Sequence, residues 1–253
     1  MIPQSPVLVV VIPLIFSFLN LLFGWFRRGL CYPITLVALA LSFLASLHTL
    51  NTVITTGTIH YYLGGWNPPW GIEYVVDHLN AFVLAIICFV SLVVGVYSRR
   101  SVEQELPDKT VFFYTVFLLQ VTGLLGIVIT GDVFNLYVFL EIASLAGYAL
   151  ITIGEDGAAL ASFRYVIMGT IGACFYLLGV GYLYMATGSL NMTDLAQLLP
   201  NLYSSKVVLV GFTFFVVGVG LKMALFPLHT WLPDAYTYAP SAVSALIAPT
   251  MTK

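Results

Sequence analysis

Charge is what this sequence has least of. Its 253 residues include 9 lysines and arginines and 11 aspartates and glutamates, 8% in all, against 60% hydrophobic residues. So few charges over this length exclude a soluble domain and indicate a chain that crosses a membrane several times. The net charge of −2 excludes a basic nucleic-acid binder. Cysteine is nearly missing too. Cys31, Cys88 and Cys174 lie far apart, each in an apolar run, with no CxxC spacing. That leaves no disulfide framework and no thiolate metal or redox centre, and each reads as a small buried hydrophobe. No positively charged segment or small-residue cleavage site precedes the first apolar run, which reads as a retained span rather than a signal peptide. No low-complexity linker marks off a soluble domain. Nor do the apolar runs carry an axial histidine pair or a cysteine cluster, so haem or quinone catalysis has no support. The expectation is no cofactor, no metal site and no catalytic residue in this chain.

What is there is apolar and regularly interrupted. Runs long enough for a hydrocarbon core of about 30 Å fall at 6–26, 30–53, 78–97, 111–130, 133–153, 161–186 and 207–227, the last with a short continuation through Trp231. An eighth begins near Pro240. The fold class expected is all-α, a membrane bundle of about eight spans with the seventh helix broken. Residues 240–253 make only about 21 Å of helix, so the protein is expected to continue or to be completed by another chain. If the spans alternate, Arg27, Arg28, Arg99, Arg100, Lys109 and Arg164 all fall on one side. The other side holds Lys206 with Glu73, Asp77 and Asp194. The positive-inside rule then places the N-terminus outside the cell membrane. The 55–77 connection, with Tyr61, Tyr62, Trp66, Trp70 and two prolines, reads as an ordered outer loop containing a short hairpin.

Against this background the intramembrane polar groups stand out. Lys222 lies in the seventh run, and a cation at mid-membrane costs about 2.5–3.5 kcal/mol even on lenient insertion scales. It therefore faces a protein interior or a water-filled cavity, and needs a partner. Glu141, about a third of the way into the fifth run, is the candidate. Ser144 and Tyr148, three and seven residues on, share its helical face. A carboxylate alone in an apolar interior takes up a proton, whereas opposite an ammonium it stays charged or shares one. Two readings stand side by side: a charge relay, and a structural ion pair that only pins two helices.

Pro227 leaves the Met223 carbonyl without its helical partner, which predicts a hydrated break beside Lys222. His229 shares the Lys222 face if the helix resumes, and histidine exchanges protons near neutral pH; the plainer reading is an interfacial cap. Pro249 repeats the device, freeing the Ala245 carbonyl four residues before Lys253. Two proline-interrupted spans with one lysine each are the pattern of a relay on discontinuous helices. Asp132 reads as the N-cap of the fifth helix. Asp234 either opens a proton entry path or caps a short helix. Arg164 reads as a snorkelling anchor paired at the surface with Glu155 and Asp156.

Two segments, NLYVFLEIASLAGYALI and LKMALFPLHTWLPDAYTYAPSAVSALIAPTMTK, resemble the antiporter-like subunits shared by respiratory complex I, Mrp-type cation/proton antiporters and membrane-bound hydrogenases. TGSLNMTDLAQLLP looks most like the D-type branch of the Mrp antiporter subunits and its hydrogenase relatives. The resemblance implies a family built on two inverted five-helix repeats, with residues 1–109 a three-helix segment carrying the outer loop and 110–253 the first repeat. It implies that Glu141, Lys222, His229 and Lys253 form a proton relay along a hydrated axis, with Ser144, Tyr148, Pro227 and Asp234 in support. It also implies other membrane subunits of a respiratory or antiporter complex as partners, the lipid bilayer as surroundings, and protons, with sodium a second candidate, as cargo. The alternative is a half-length scaffold subunit that conducts nothing.

Overall fold

Inside a bilayer a backbone must satisfy its own hydrogen bonds, so long apolar runs become helices. The computed structural model of the protein describes residues 4–154 and 156–251. Its helices in chain order are α1 (Ser5–Phe26), α2 (Cys31–Thr56), α3 (His78–Glu105), α4 (Thr110–Ile129), α5 (Val133–Thr152), α6 (Ala158–Thr187), α7 (Met192–Leu198), α8 (Lys206–Lys222), α9 (Leu232–Tyr238) and α10 (Ser241–Thr250). Local chemistry sets several starts. The Asp77 carboxylate accepts from the Asn80 N–H at 2.8 Å and opens α3. Asp132 accepts from the Asn135 N–H at 2.7 Å and opens α5, as its sequence position suggests. Asn191 accepts from the Thr193 and Asp194 N–H groups and opens α7. The 55–77 connection does contain a hairpin: β1 (Ile59–Tyr62) runs antiparallel to β2 (Glu73–Val76), pairing Ile59 with Val76 and Tyr62 with Glu73.

Six of these helices, α1 to α6, are long and apolar enough to cross a membrane, α2 together with the turn before it. The seventh expected span, α8, has 17 residues, about 26 Å of helix, and so falls a little short of the hydrocarbon thickness. Of the eighth, α10 is described for 10 residues and runs through Pro249 to Thr250. α4 is the most enclosed helix and packs on α1, α2, α3 and α5. Its Phe113, Phe117, Leu118 and Leu125 are fully buried. Cys31 and Cys88 are buried as expected; Cys174 is exposed, because it lies on the outward face of α6.

α8 is held against α6 by glycine. Gly172 and Gly179 of α6 meet Gly211 and Gly218 of α8, both pairs spaced by seven. A Cβ at Gly179 would stand 2.6 Å from the Phe215 nitrogen, and one at Gly218 would stand 2.7 Å from the Tyr176 Cα. Such approach of one backbone to another is what small residues permit between membrane helices, where packing rather than water exclusion drives association.

The connections alternate between two faces. On one, Arg28 pairs with Asp108 at 3.5 Å, the Lys109 ammonium donates to the Ile153 carbonyl, Arg164 pairs with Asp234 at 2.6 Å, and Glu105 accepts from the Ser241 N–H. On the other, residues 73–76, 130–133 and 189–192 are knotted by backbone bonds, among them Gly131 N–H to Glu73 O at 2.8 Å and Met192 N–H to Gly131 O at 2.9 Å. The six basic residues Arg27, Arg28, Arg99, Arg100, Lys109 and Arg164 belong to the first face.

Candidate functional site

The break in α8 brings the intramembrane lysine to its acid. In a continued helix the Pro227 ring would collide with the carbonyl of the residue four earlier, Met223. α8 accordingly stops at Lys222, immediately before Met223 and five residues ahead of the proline. The apolar run alone carries the helix on to Pro227, and the structure corrects this: no helix passes through Met223 to leave that carbonyl orphaned. The chain turns instead. Leu225 donates to Gly220 O at 2.8 Å, and Ala224 donates to Leu221 O at 3.3 Å with a positive φ of 55°.

Ending the helix there places Lys222 in the last turn of α8, where the exposed carbonyls favour a cation. Its ammonium donates to Glu141 Oε1 at 2.7 Å and to Ser144 Oγ at 2.9 Å. The side chains are 8% exposed for Lys222 and 25% for Glu141. The ammonium is therefore enclosed and the carboxylate partly so, and α5 supplies both acceptors from one face, as the i, i+3 spacing predicts. The Lys222 stem crosses α6 at Gly172, whose missing side chain leaves its Cγ 3.7 Å from the Cβ position. Tyr148 does not touch the ammonium. Its hydroxyl rests on Gly169, one turn away on α6, and has no hydrogen-bond partner among the described residues.

The other expected site residues are placed less closely. His229 is in the turn between α8 and α9 rather than on a resumed helix, so the shared face with Lys222 does not arise. Its ring lies against Phe226, and its Nδ1 is buried without a partner among the described residues. Asp234 is in the first turn of α9 and takes Arg164 as its partner. That replaces the expected pairing of Arg164 with Asp156; Glu155 and Lys253 lie outside the described residues.

Residues 130–253 match the family described as "NADH:quinone oxidoreductase/Mrp antiporter, TM". The whole chain is similar to the N subunit of the NADH-quinone oxidoreductase of Desulforudis audaxviator, 49% identical over 252 residues, covering 98% of this chain and 50% of that relative. The chain belongs to the antiporter-like subunit family. Another member, the D subunit of the Na(+)/H(+) antiporter of Bacillus subtilis, is 33% identical over 248 residues, again 98% of this chain and 50% of the relative. Among solved structures, a chain of the membrane-bound sulfane sulfur reductase, an archaeal respiratory membrane complex, superposes with a TM-score of 0.93 at 34% identity, covering 99% of this chain and 51% of that one. The chain thus spans about half the length of the curated relatives it matches. It is a membrane protein, and its structural neighbours are subunits of multi-subunit membrane complexes.

In this antiporter-like chain two groups of residues leave little trace in the sequence. On the hairpin face, Glu73 is 5% exposed and accepts from Asn191 Nδ2 at 2.8 Å while bonding His60 Nδ1 at 2.6 Å. Nothing local in the sequence couples positions 60, 73 and 191. Burial nearby pushes the Tyr74 hydroxyl up to about 12, against a lowering hydrogen bond from Asn135, and raises the Asp132 carboxyl above its usual range. The second group is Tyr165 and Trp231, whose rings stack at 4.1 Å and 1°. The glycine seam did leave a signal, the seven-residue spacing in both α6 and α8.

Proposed function

We propose that this chain is a proton-translocating subunit of a multi-subunit membrane complex, working by charge coupling between Glu141 and Lys222. The observation that carries the reading is the partly buried contact between the Lys222 ammonium and both the Glu141 carboxylate and the Ser144 hydroxyl. Paired, both groups keep their charge. When the pair separates, Lys222 loses its counter-charge in a dry surrounding and gives its proton onward. Lys253, four residues past Pro249, is the proposed acceptor, and His229 the proposed exchange point toward the Arg164–Asp234 face. Tyr148 and Pro227 support the path, the first as a polar hydroxyl beside it, the second as the cause of the break.

At moderate effective dielectric, moving one charge by several Å beside another is worth a few kcal/mol. That compares with about 2.3 kcal/mol per elementary charge for each 100 mV of membrane potential, so the pair has enough leverage to couple to a gradient. Driving energy comes from partner subunits, in keeping with relatives whose names place them in a quinone oxidoreductase and in a sodium/proton antiporter. Protons are the proposed cargo, with sodium the second ion to test. The basic face is proposed to be cytoplasmic, which puts the N-terminus outside the cell.

The test uses the complete complex in inverted membrane vesicles, with pH-gradient formation followed by a fluorescent dye. Glu141→Ala and Lys222→Ala are each expected to abolish the gradient while the complex still assembles. A double variant that pumps like the wild type leaves only a packing role for the pair. Replacing sodium by potassium in the same vesicles separates a pure proton path from a sodium-coupled one.

A further inference from the structure

Around the break, one set of contacts closes a ring. Lys222 reaches α5 at Glu141 and Ser144. One turn further along α5, the Tyr148 ring meets the Tyr165 ring of α6 edge-on, at 4.4 Å and 89°. Tyr165 lies flat on Trp231, which is 2% exposed. The Trp231 indole N–H then donates at 3.2 Å to the Leu221 carbonyl, the residue before Lys222. Leu221 O is among the carbonyls that the break strips of a regular helical partner; its backbone donors are the Met223 N–H, only two residues on and shared with Val219 O, and the Ala224 N–H, long at 3.3 Å. We propose that Trp231 is a positioning residue for the Lys222–Glu141 pair: its indole N–H, clamped by the Tyr165 ring, fixes the carbonyl at which α8 ends and so fixes the direction of Lys222.

The hydrogen bond and the stack make separable contributions. A phenyl ring at 231 keeps a flat partner for Tyr165 and removes the donor. The Leu221 carbonyl then keeps only the shared Met223 N–H and the long Ala224 bond. The last turn of α8 loosens, and the lysine that follows loosens with it. An imidazole at 231 keeps both a flat ring and an N–H. The order of effect is therefore Trp, then His, then Phe. A purely space-filling role gives a different order, because phenylalanine fills the site better than histidine.

This inference rests on the charge-coupling reading, so its test has one readout that does not depend on transport. In the purified full complex, the infrared carboxyl and carboxylate bands of Glu141 are assigned by subtraction of the Glu141→Gln spectrum. In Trp231→Phe these bands are expected to move, and in Trp231→His to return toward the wild type. Proton uptake in vesicles is expected to fall about fivefold or more in Trp231→Phe, with partial recovery in Trp231→His. Unmoved bands in Trp231→Phe overturn the proposal, as does a loss of thermal stability that tracks uptake while the bands stay fixed. If Trp231→Phe does not accumulate, Tyr165→Leu, which removes the clamp and leaves the indole, is expected to move the same bands; fixed bands there overturn it too. If Lys222→Ala pumps normally while the bands still respond to Trp231→Phe, the positioning role stands and the relay reading fails.

Discussion

The glycine seam gives a sharp test of how α8 presents its lysine. In Gly218→Ala the new methyl would stand 2.7 Å from the Tyr176 Cα and 2.8 Å from the Gly172 carbonyl oxygen, and closer still to the Tyr176 nitrogen. All three are backbone atoms of α6, so no rotamer change relieves the contact. Ordinary contact begins at 3.4 Å, so relieving the nearest of these contacts takes a retreat of α8 by about 1 Å. Overpacking of this kind costs about 1–3 kcal/mol. Lys222 is four residues further along the same helix, and its hydrogen bond to Glu141 is 2.7 Å long. A retreat of that size stretches it past hydrogen-bond length, where a charge-assisted bond worth about 1.5–3 kcal/mol is largely lost. We expect a lowered melting temperature in detergent and proton uptake reduced at least as strongly as in Ser144→Ala. Gly181→Ala is the control. It lies in the same helix, α6, with nothing within 4 Å of its Cβ position, and is expected to be neutral or to stabilise by about 0.5–1 kcal/mol. Wild-type melting and uptake in Gly218→Ala would refute the claim that backbone contact between α6 and α8 sets the lysine's position.

Other outcomes follow from the same structure. Ser144→Ala removes one of the two acceptors of Lys222 and leaves Glu141; proton uptake is expected to fall about fivefold, with assembly unchanged by native gel. Glu73→Ala leaves the Asn191 amide and His60 without their shared acceptor on the hairpin face and is expected to cost about 1–3 kcal/mol in thermal unfolding. Arg164→Gln breaks an exposed pair and is expected to cost under about 1 kcal/mol by the same measurement. Burial holds the Asp132 carboxyl above its usual 3.8, opposed by the N–H groups of Asn135 and Phe134. The folded chain therefore binds that proton more tightly than the unfolded one, so this group's contribution to stability falls as pH rises from about 3.8 through the raised value and is flat above it. Asp132→Asn, which keeps the cap, is expected to remove that slope from a series of melts between pH 3.5 and 7.

Much of the site was legible because oil makes each polar residue conspicuous. One lysine in an apolar run requires an answering acid, and Glu141 with Ser144 three residues on was the arrangement that α5 could offer. The N-cap at Asp132 and the hairpin in the outer loop were legible from local chemistry. The place where α8 stops was not, because proline announces a break without saying on which side of the i−4 carbonyl the helix gives way. Arg164 has acids close by in sequence, whereas its partner Asp234 is 70 residues away. The Glu73 node was invisible for the same reason: His60 and Glu73 sit on the two strands of the hairpin and Asn191 is 118 residues beyond Glu73, so only the tertiary fold brings them together. Trp231 merely closes the short continuation of the seventh run, and nothing in its spacing signalled a carbonyl partner ten residues back.

The two faces differ in how firmly they hold the helices, and that difference bears on where the pair can open. The hairpin face is fixed by backbone bonds among three connections and by a carboxylate buried between an amide and an imidazole. The basic face is joined largely through exposed pairs, Arg28–Asp108 and Arg164–Asp234, each worth at most about 1 kcal/mol. α8 starts on the hairpin side and ends at Lys222, beyond which the chain is a turn and a seven-residue helix. Beyond its end α8 is held by the Trp231 clamp rather than by backbone bonds between connections, so it swings more readily there than at its start. Movement that separates Lys222 from Glu141 is therefore expected to begin with residues 223–238 and to leave the glycine seam near Gly211 in place. Amide hydrogen exchange gives the reading: residues 223–238 should exchange well before 206–216. Exchange that is as fast at the start of α8 as beyond its end would mean that the helix moves as a rigid whole, and the opening would then have to be sought in α5 instead.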